Sequence, residues 1–208
     1  MLSVSTKIIT MYSQNSEEKF ITEYFSGKPD GKFIDLGGFH PLRFSNTRKL
    51  YEMGWNGVIV EPSEKCFQSF IKEYENEPRI TLINAAIAEE SGVIEFYESN
   101  GDAVSTTDIK HKEKWETGGN IKYQKMFVES ISMKLFMHKY GHGTDFISLD
   151  TESTNMKLFR LIPDFVWQQI SMIVVEHDGG MKEIEDKLSG WGFSTVHINA
   201  ENIISAKL

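Results

Sequence analysis

In its first quarter the chain carries the run Phe33-Ile34-Asp35-Leu36-Gly37-Gly38-Phe39-His40-Pro41. A short apolar strand that ends in an acid and two glycines, followed by a turn and a helix, is typical of a nucleotide-like cofactor site beyond a central strand. Glycine suits such a turn because it adopts backbone conformations closed to other residues and lets the main chain approach a ligand. The acid can neutralise a cationic group, and free N–H groups at a helix start can bind an anionic one. Together these features favour a zwitterionic ligand over a pyrophosphate.

The segments after this run repeat the order strand, helix, strand. Apolar runs predict strands at residues 32–36, 57–61, 79–84, 145–150 and 171–176, with helices at 47–53 and 67–74. This alternation predicts a parallel sheet with right-handed crossovers. Residues 192–198 and 203–207, joined by a turn-like link, predict an antiparallel hairpin. The expected fold class is therefore α/β, with a doubly wound and mostly parallel sheet.

A polar stretch between residues 98 and 127 interrupts this pattern. It contains three glycines and little periodicity, so we expect an irregular segment, with an extra antiparallel strand before it at 92–97 and a helix after it at 130–140. Long irregular stretches in compact domains are commonly lids or disordered segments. We interpret 98–127 as a lid or acceptor loop and 1–30 as an N-terminal helical segment, both within one domain that spans 1–208.

Composition limits the classes of function. The 208 residues carry a formal net charge of −8, which argues against a broad nucleic-acid interface because phosphate binding needs clustered Lys and Arg. One cysteine, Cys66, rules out an intrachain disulfide and a cysteine-rich zinc site. Residues 1–10 do not resemble a signal peptide, and we find no run long enough to span a membrane. A cytoplasmic enzyme is the simplest expectation.

Polar or small residues come at the ends of five of the predicted strands, and the carboxyl ends of parallel strands share one rim. These strand-end residues are Asp35, Glu61, Asn84, Asp150 and Glu176. Glu61 is the most informative, because a carboxylate one strand–helix unit after a glycine-rich turn can accept hydrogen bonds from both ribose hydroxyls. Nicotinamide dinucleotide enzymes also bind ribose through a carboxylate at this position. However, the turn lacks the third glycine of G-x-G-x-x-G, and Asp35 would repel a pyrophosphate.

The same residues resemble the FkbM-type family of S-adenosylmethionine-dependent methyltransferases. The similarity rests on the run 33–47, on Gly54-Trp55-Asn56-Gly57, on Glu61-Pro62, on Asn84-Ala85-Ala86 and on Asp150-Thr151-Glu152. It extends from about Ser13 to the last hairpin. It implies the class I methyltransferase fold, which is Rossmann-like, with a seven-stranded sheet whose last strand is antiparallel. Many members of the family methylate hydroxyls on sugars or polyketides.

The resemblance also implies S-adenosyl-L-methionine as cofactor and assigns residues to it. The expected cofactor-binding residues are Asp35, Gly37, Gly38, Asn46, Glu61, Pro62, Asn84 and Ala85. Among them, Asp35 and the two glycines would line the methionine part, Glu61 would bind the ribose, and Asn84 and Ala85 would lie against the adenine. Asp150 would mark the acceptor side. Glu152, Glu176 and Trp115 are the expected substrate-side residues.

The implied reaction is an in-line displacement at the sulfonium methyl, to which the protein contributes positioning, worth about 7–11 kcal/mol, and a base for a hydroxyl acceptor. The candidates for that base are Asp150, His40 and His177. A structural hydrogen bond is an equally good explanation of His40, which precedes a proline in a turn. Asp150, Glu152 and Asp178 could together bind a hard cation. Such acids are more often solvated or capped, so we predict no metal site.

One position departs from the family pattern. Ser153 follows Asp-x-Glu, where the family usually has glycine, and this puts in question the turn after the fourth strand. Ser153 is the one hint of a first alternative, a scaffold protein that keeps the fold but has lost catalysis. A second alternative, an NAD-dependent oxidoreductase on a related sheet, stays open because such enzymes also bind ribose with an acid at this position. The expected partner is a small-molecule or glycan acceptor rather than nucleic acid. The oligomeric state is not predicted.

Overall fold

The computed structural model describes residues 11–208, which form ten strands and eight helices. The strands are β1 (Lys32–Leu36), β2 (Asn56–Val60), β3 (Ile80–Ile83), β4 (Ala86–Ala88), β5 (Gly92–Glu98), β6 (Gln124–Ser132), β7 (Phe146–Leu149), β8 (Met172–Glu176), β9 (Phe193–Ile198) and β10 (Asn202–Lys207). The helices are α1 (Glu17–Tyr24), α2 (Arg48–Glu52), α3 (Glu64–Glu73), α4 (Ile109–Gly118), α5 (Met133–Tyr140), α6 (Asn155–Leu161), α7 (Asp164–Gln169) and α8 (Met181–Ser189). The expectation for residues 1–10 concerns positions outside the described part.

Seven strands form the main sheet in the order β3-β2-β1-β7-β8-β10-β9. Strands β3, β2, β1, β7 and β8 are parallel, and β10 pairs antiparallel with both β8 and β9. The predicted parallel sheet and C-terminal hairpin are therefore confirmed. The strand order reverses between β1 and β7, and an open α/β sheet binds its ligands at the carboxyl ends beside such a reversal.

The central strands of the main sheet are apolar on both faces, so hydrophobic clusters pack against the sheet. The residues Phe33 to Leu36, like those of β7, are buried on both faces, which is typical of central parallel strands. One hydrophobic cluster on the sheet contains Trp167 and the other contains Trp55, and both indoles are fully buried. Among residues 11–208, no helix is long and apolar enough to cross a lipid bilayer.

The stretch at 98–127 is more regular than expected, because it contains helix α4. Asp108 caps this helix by accepting hydrogen bonds from the N–H groups of Lys110 and His111, at 2.8 and 2.9 Å. The sequence IKHKEKWETG has no continuous apolar stripe, so the helical period is missing from the pattern. A helix stabilised by its cap and by a few tertiary contacts leaves little signal in sequence.

Strand β6 begins inside the stretch that the sequence presents as irregular, since residues 124–127 are its first four. It pairs antiparallel with β5 and parallel with β4 in a separate three-stranded sheet. The extra strand at 92–97 is thus confirmed, but it lies at the edge of this second sheet. The helix expected at 130–140 begins only at Met133, because Ser132 is its N-cap and accepts a hydrogen bond from the N–H of Leu135 at 3.3 Å.

Candidate functional site

The glycine turn brings the ends of three strands together. Gly37 has a φ of 86°, and a Cβ at this position would lie 1.6 Å from the carbonyl oxygen of Asp150. The N–H groups of Gly37 and Gly38 both donate to the carbonyl of Val60, at 3.0 and 3.1 Å, and the N–H of Asp150 donates to Leu36. The left-handed backbone and the close approach both require glycine at position 37. The turn therefore joins the carboxyl ends of β1, β2 and β7.

A cavity opens beside this turn at the carboxyl ends of the strands. The space between its lining residues is about 560 Å³ when open solvent is included. Four of the predicted cofactor residues line it: Gly37, Glu61, Pro62 and Ala85. The polar stretch contributes Asp102, Ala103, Ser105 and Thr107, and the turn after β7 contributes Thr151, Glu152 and Thr154. Glu152 is the predicted acceptor-side residue in this lining, whereas Asp150, Glu176, Trp115, His40 and His177 are not part of it.

Two backbone N–H groups hold the carboxylate of Glu61 in place. Its side chain is buried, and its two oxygens accept hydrogen bonds from the N–H groups of Phe39 at 2.8 Å and Ser63 at 2.7 Å. Burial raises the pKa of Glu61 to about 7, with smaller contributions from the charges of Glu98 and Asp35, while the two N–H groups oppose the rise. A carboxylate offers about four lone-pair positions, so two stay available for a diol. This geometry fits the ribose of a nucleoside.

The other predicted cofactor residues support the site from outside the cavity lining. Asp35 is buried, accepts a 2.6 Å hydrogen bond from the hydroxyl of Thr47, and has its pKa raised to about 7 by burial. The amide of Asn46 donates to Ser148 at 3.1 Å. These contacts hold the loop 37–47 against β1 and β7. Two members of the set remain. A Cβ added at Gly38 would lie 2.8 Å from Ile59. Asn84 is exposed, and its amide donates to the carbonyl of Glu61 at 2.9 Å.

Acidic side chains gather at the carboxyl ends of β7 and β8, and one of them, Glu152, lines the cavity. Burial raises the pKa values of Asp150, Glu152 and Glu176 above their ordinary range, and the charge of Asp178 adds to each rise. A hydrogen bond from Glu176 opposes the rise at Asp150. The amide of Asn155 donates to Glu176 and to Asp178. Within residues 11–208, no group of three or more His, Cys, Asp or Glu side chains is placed to hold a metal ion.

The three candidate bases differ in their free acceptor atoms. Nδ1 of His40 accepts a hydrogen bond from the N–H of Leu42 at 3.0 Å, and Nδ1 of His177 accepts one from the N–H of Gly179 at 3.1 Å. A neutral imidazole has one acceptor nitrogen, so each ring would lose that hydrogen bond on taking a proton. Burial, and then the charge of Arg43, also lower the pKa of His40. Oδ1 of Asp150 is buried too, and the side-chain hydrogen-bond partner of this carboxylate is the carboxyl of Glu176, whose raised pKa keeps it protonated and able to donate. A carboxylate has about four lone-pair positions, so Asp150 keeps others for a further donor.

Helix α4 carries a site residue that sequence reasoning missed. His111 is 8% exposed, its Nδ1 lies 2.5 Å from Oγ of Ser153, and its Nε2 lies 3.3 Å from a carboxylate oxygen of Glu152. Trp115 is half-buried with its ring 6.2 Å from the His111 ring, and it does not line the cavity. The one signal in the sequence was Ser153 itself, the departure from the family pattern.

The fold is that of the class I methyltransferases. A family model for the methyltransferase FkbM domain matches residues 26–196, so the chain belongs to the FkbM methyltransferase family. Membership implies S-adenosylmethionine as methyl donor in general. No curated protein sequence matches the chain.

Solved structures support the fold. An FkbM methyltransferase from Methylobacillus flagellatus KT is similar with a TM-score of 0.52 and 8% sequence identity, over 85% of this chain and 43% of that one. A protein from Staphylococcus aureus, provisionally named a caffeoyl-CoA O-methyltransferase, is similar with a TM-score of 0.51 and 10% identity, over 96% of this chain and 86% of that one. At such low identity the similarity concerns the fold alone.

Proposed function

We propose that this protein transfers the methyl group of S-adenosyl-L-methionine to a hydroxyl of a carbohydrate or a similar small acceptor. The observation that carries the cofactor assignment is Glu61. Its carboxylate is fixed by two backbone N–H groups, faces the cavity, and keeps two lone-pair positions for a ribose diol. The glycine turn lacks the third glycine of the dinucleotide pattern, and this supports a sulfonium cofactor over a dinucleotide.

The chain's own residues divide into cofactor and acceptor groups. Gly37, Glu61, Pro62 and Ala85 would hold the cofactor, because they line one side of the cavity. The bound cofactor supplies a methyl group that its sulfonium already activates. The protein therefore needs to orient the acceptor, exclude water and take one proton. Holding two reactants in line contributes about 7–11 kcal/mol to such reactions.

Asp150 is the proposed proton acceptor. It follows β7, which places it beside the glycine turn, and its carboxylate keeps lone-pair positions beyond the one that the protonated Glu176 occupies. Burial raises the pKa of Asp150 to about 6. A base with a pKa near neutrality is mostly ionised at pH 7.5 and still accepts a proton readily. His40 and His177 are weaker candidates, because each already uses its acceptor nitrogen.

Calorimetric titration of the purified chain tests the cofactor. S-Adenosylhomocysteine is expected to bind and NADH is expected not to bind. Binding of NADH alone would support an NAD-dependent oxidoreductase. If neither compound binds to the demonstrably folded protein, the methyltransferase proposal fails.

An acceptor screen with methyl-labelled cofactor tests the transfer. Label is expected in sugars or small hydroxylated compounds with the native chain. Asp150→Ala is expected to keep the affinity for S-adenosylhomocysteine and to lose at least about a hundredfold in rate. Asp150→Ala with unchanged rate would remove Asp150 from this role. Cofactor binding without transfer to any acceptor would favour a scaffold protein.

We propose the class of methyl acceptor and the cellular location from the amino-acid composition. A net charge of −8 supports a small-molecule or glycan acceptor rather than nucleic acid. A single cysteine is consistent with a cytoplasmic protein.

A further inference from the structure

The segment between β5 and β6 already covers the cavity. Residues 99–123, which we name the lid segment, contribute Asp102, Ala103, Ser105 and Thr107 to its lining. The segment folds back on β5, since Tyr97 and Thr106 exchange two backbone hydrogen bonds of 2.8 and 3.1 Å. A ligand in the cavity would therefore lie between the glycine turn and the lid segment.

The lid segment is attached to the turn after β7 through two consecutive residues. The hydroxyl of Thr106 donates to the carbonyl of Glu152 at 2.6 Å. His111 contacts both residues: Nδ1 lies 2.5 Å from the hydroxyl oxygen of Ser153, and Nε2 lies 3.3 Å from the carboxylate of Glu152. The contact with Ser153 is the hydrogen bond of this ring, because Nε2 has no hydrogen-bond partner within residues 11–208.

These two residues have a backbone conformation that needs support. Glu152 has a φ of 54° and Ser153 a φ of 74°, and neither is a glycine. Non-glycine residues in this left-handed region persist when surrounding contacts hold them, and they concentrate at functional sites. Here the supporting contacts come from the lid segment. A glycine at position 153 would adopt the conformation easily but would provide no hydroxyl for His111.

Glu152 connects this attachment to the cavity. Its side chain lines the cavity, and its carbonyl is bound by Thr106. Opening the lid segment would therefore release the support of Glu152 at the same time as it exposed the cofactor side. His111 lies at this junction, is 8% exposed and packs beside Trp115.

We propose that His111 is a positioning residue that latches the lid segment to Ser153, so that closure over the cofactor and the placement of Glu152 at the acceptor side occur together. This inference rests on the proposed methyltransferase function. Ser153, which replaces the usual glycine, is then part of the latch rather than a sign of lost catalysis.

Two substitutions that differ in which ring nitrogen they replace test the latch. The amide of His111→Asn occupies the place of Nδ1 and can keep the contact with Ser153, whereas the amide of His111→Gln reaches the place of Nε2. We expect His111→Asn to bind S-adenosylhomocysteine within about twofold of the native chain, and His111→Gln to bind about 3–10-fold more weakly. Equal weakening in both variants would indicate a packing role and overturn the proposal, as would native affinity in both.

Ser153→Gly provides an independent variant that should fold, because glycine suits the backbone at this position. It is expected to weaken binding as much as His111→Gln, and the double variant is expected to be no weaker than either single one. Additive losses would show that the two residues act separately and would overturn the latch.

Amide hydrogen exchange of the ligand-free protein separates this inference from the proposed function. In Ser153→Gly and His111→Gln, residues 99–118 are expected to exchange at least about threefold faster, with β1 and β7 unchanged. If the native chain binds no S-adenosylhomocysteine, the proposed function fails, and the exchange rates alone then decide the latch. Unchanged exchange in residues 99–118 overturns the latch whether or not the cofactor binds.

Discussion

Cofactor affinity is expected to depend on pH through Glu61. Burial raises the pKa of this carboxyl to about 7, so its charge changes within the range in which the protein can be studied. The ionised carboxylate accepts hydrogen bonds at both oxygens, whereas the protonated acid has one of its oxygens occupied by a proton. A ribose diol needs two acceptors. S-Adenosylhomocysteine should therefore bind the ionised form, and its affinity should fall as the pH falls through 7.

The expected change in affinity follows from the fraction of chains in which Glu61 is ionised. If the protonated form does not bind, the apparent Kd is the intrinsic Kd divided by the ionised fraction. With a pKa of about 7, that fraction is near one at pH 8.5 and about one thirtieth at pH 5.5. The affinity should thus fall about thirtyfold between these values, and by about tenfold per pH unit at the acidic end. Residual binding by the protonated acid would flatten the curve at low pH.

Isothermal titration in buffers of two ionisation enthalpies measures both the affinity and the proton count. Below pH 7 the native chain should release about one proton per S-adenosylhomocysteine bound. The matched control is Glu61→Gln, in which one amide N–H group must face the backbone N–H of Phe39 or Ser63. This variant should bind more weakly, with little dependence on pH. Titration of the ligand is common to both proteins and cancels in the ratio of their affinities.

Two results would contradict this reasoning. One is a native affinity that stays constant from pH 5.5 to 8.5. The other is a Glu61→Gln variant with the same pH slope as the native chain, since the slope would then arise from another group.

Three further outcomes are expected from the packing and charges of the site. Gly37→Ala should lower the free energy of unfolding by about 2–5 kcal/mol, because the new Cβ would lie 1.6 Å from the carbonyl oxygen of Asp150. In the control Gly27→Ala, the new Cβ meets no atom within 4 Å, and stability should change little. Similar thermal unfolding of the two variants would refute this prediction. Burial raises the pKa of Glu176, so the stability that its protonation provides is lost as the pH rises. Glu176→Gln should therefore be more stable than the native chain at pH 8 by at least about 1 kcal/mol, or about 2–4 °C in Tm, and equally stable near pH 4. No gain in stability at pH 8 would count against the acidic cluster. Burial also raises the pKa of the Cys66 thiol to about 12, so iodoacetamide should label the folded chain at pH 8 far more slowly than the unfolded one, and rapid labelling of folded protein would contradict its burial.

The main sheet was predictable because its strands are short apolar runs bounded by turn residues. Strands β1, β2, β7 and β8 are buried on both faces, so their sequences are almost continuously apolar. Helix α4 gave no such signal, since its stability comes from the Asp108 cap and from the contacts of His111. The second sheet was also missed, because pairing between β4 and β6 joins residues more than forty positions apart.

The cofactor side of the site can be read from local sequence. Asp35, Gly37 and Glu61 occupy strand ends and a turn, and the topology of a parallel sheet brings such positions together whatever the details of packing. Glycine at position 37 is required by a backbone conformation and a close approach, both of which are typical of this turn.

Other properties of the site depend on tertiary contacts. From the sequence, Asp150 is preferred to His40 and His177 as the candidate base. The folded chain adds that Nδ1 of each histidine already accepts a backbone hydrogen bond. The contact between His111 and Ser153 joins positions 42 residues apart and depends on a left-handed turn that no local pattern predicts. The order of residues was enough to specify the sheet and its strand ends, because burial and turn chemistry act over a few residues. The free acceptor atoms, the raised carboxyl pKa values and the attachment of the lid segment depend on which distant groups meet, and such meetings arise only in the packed chain.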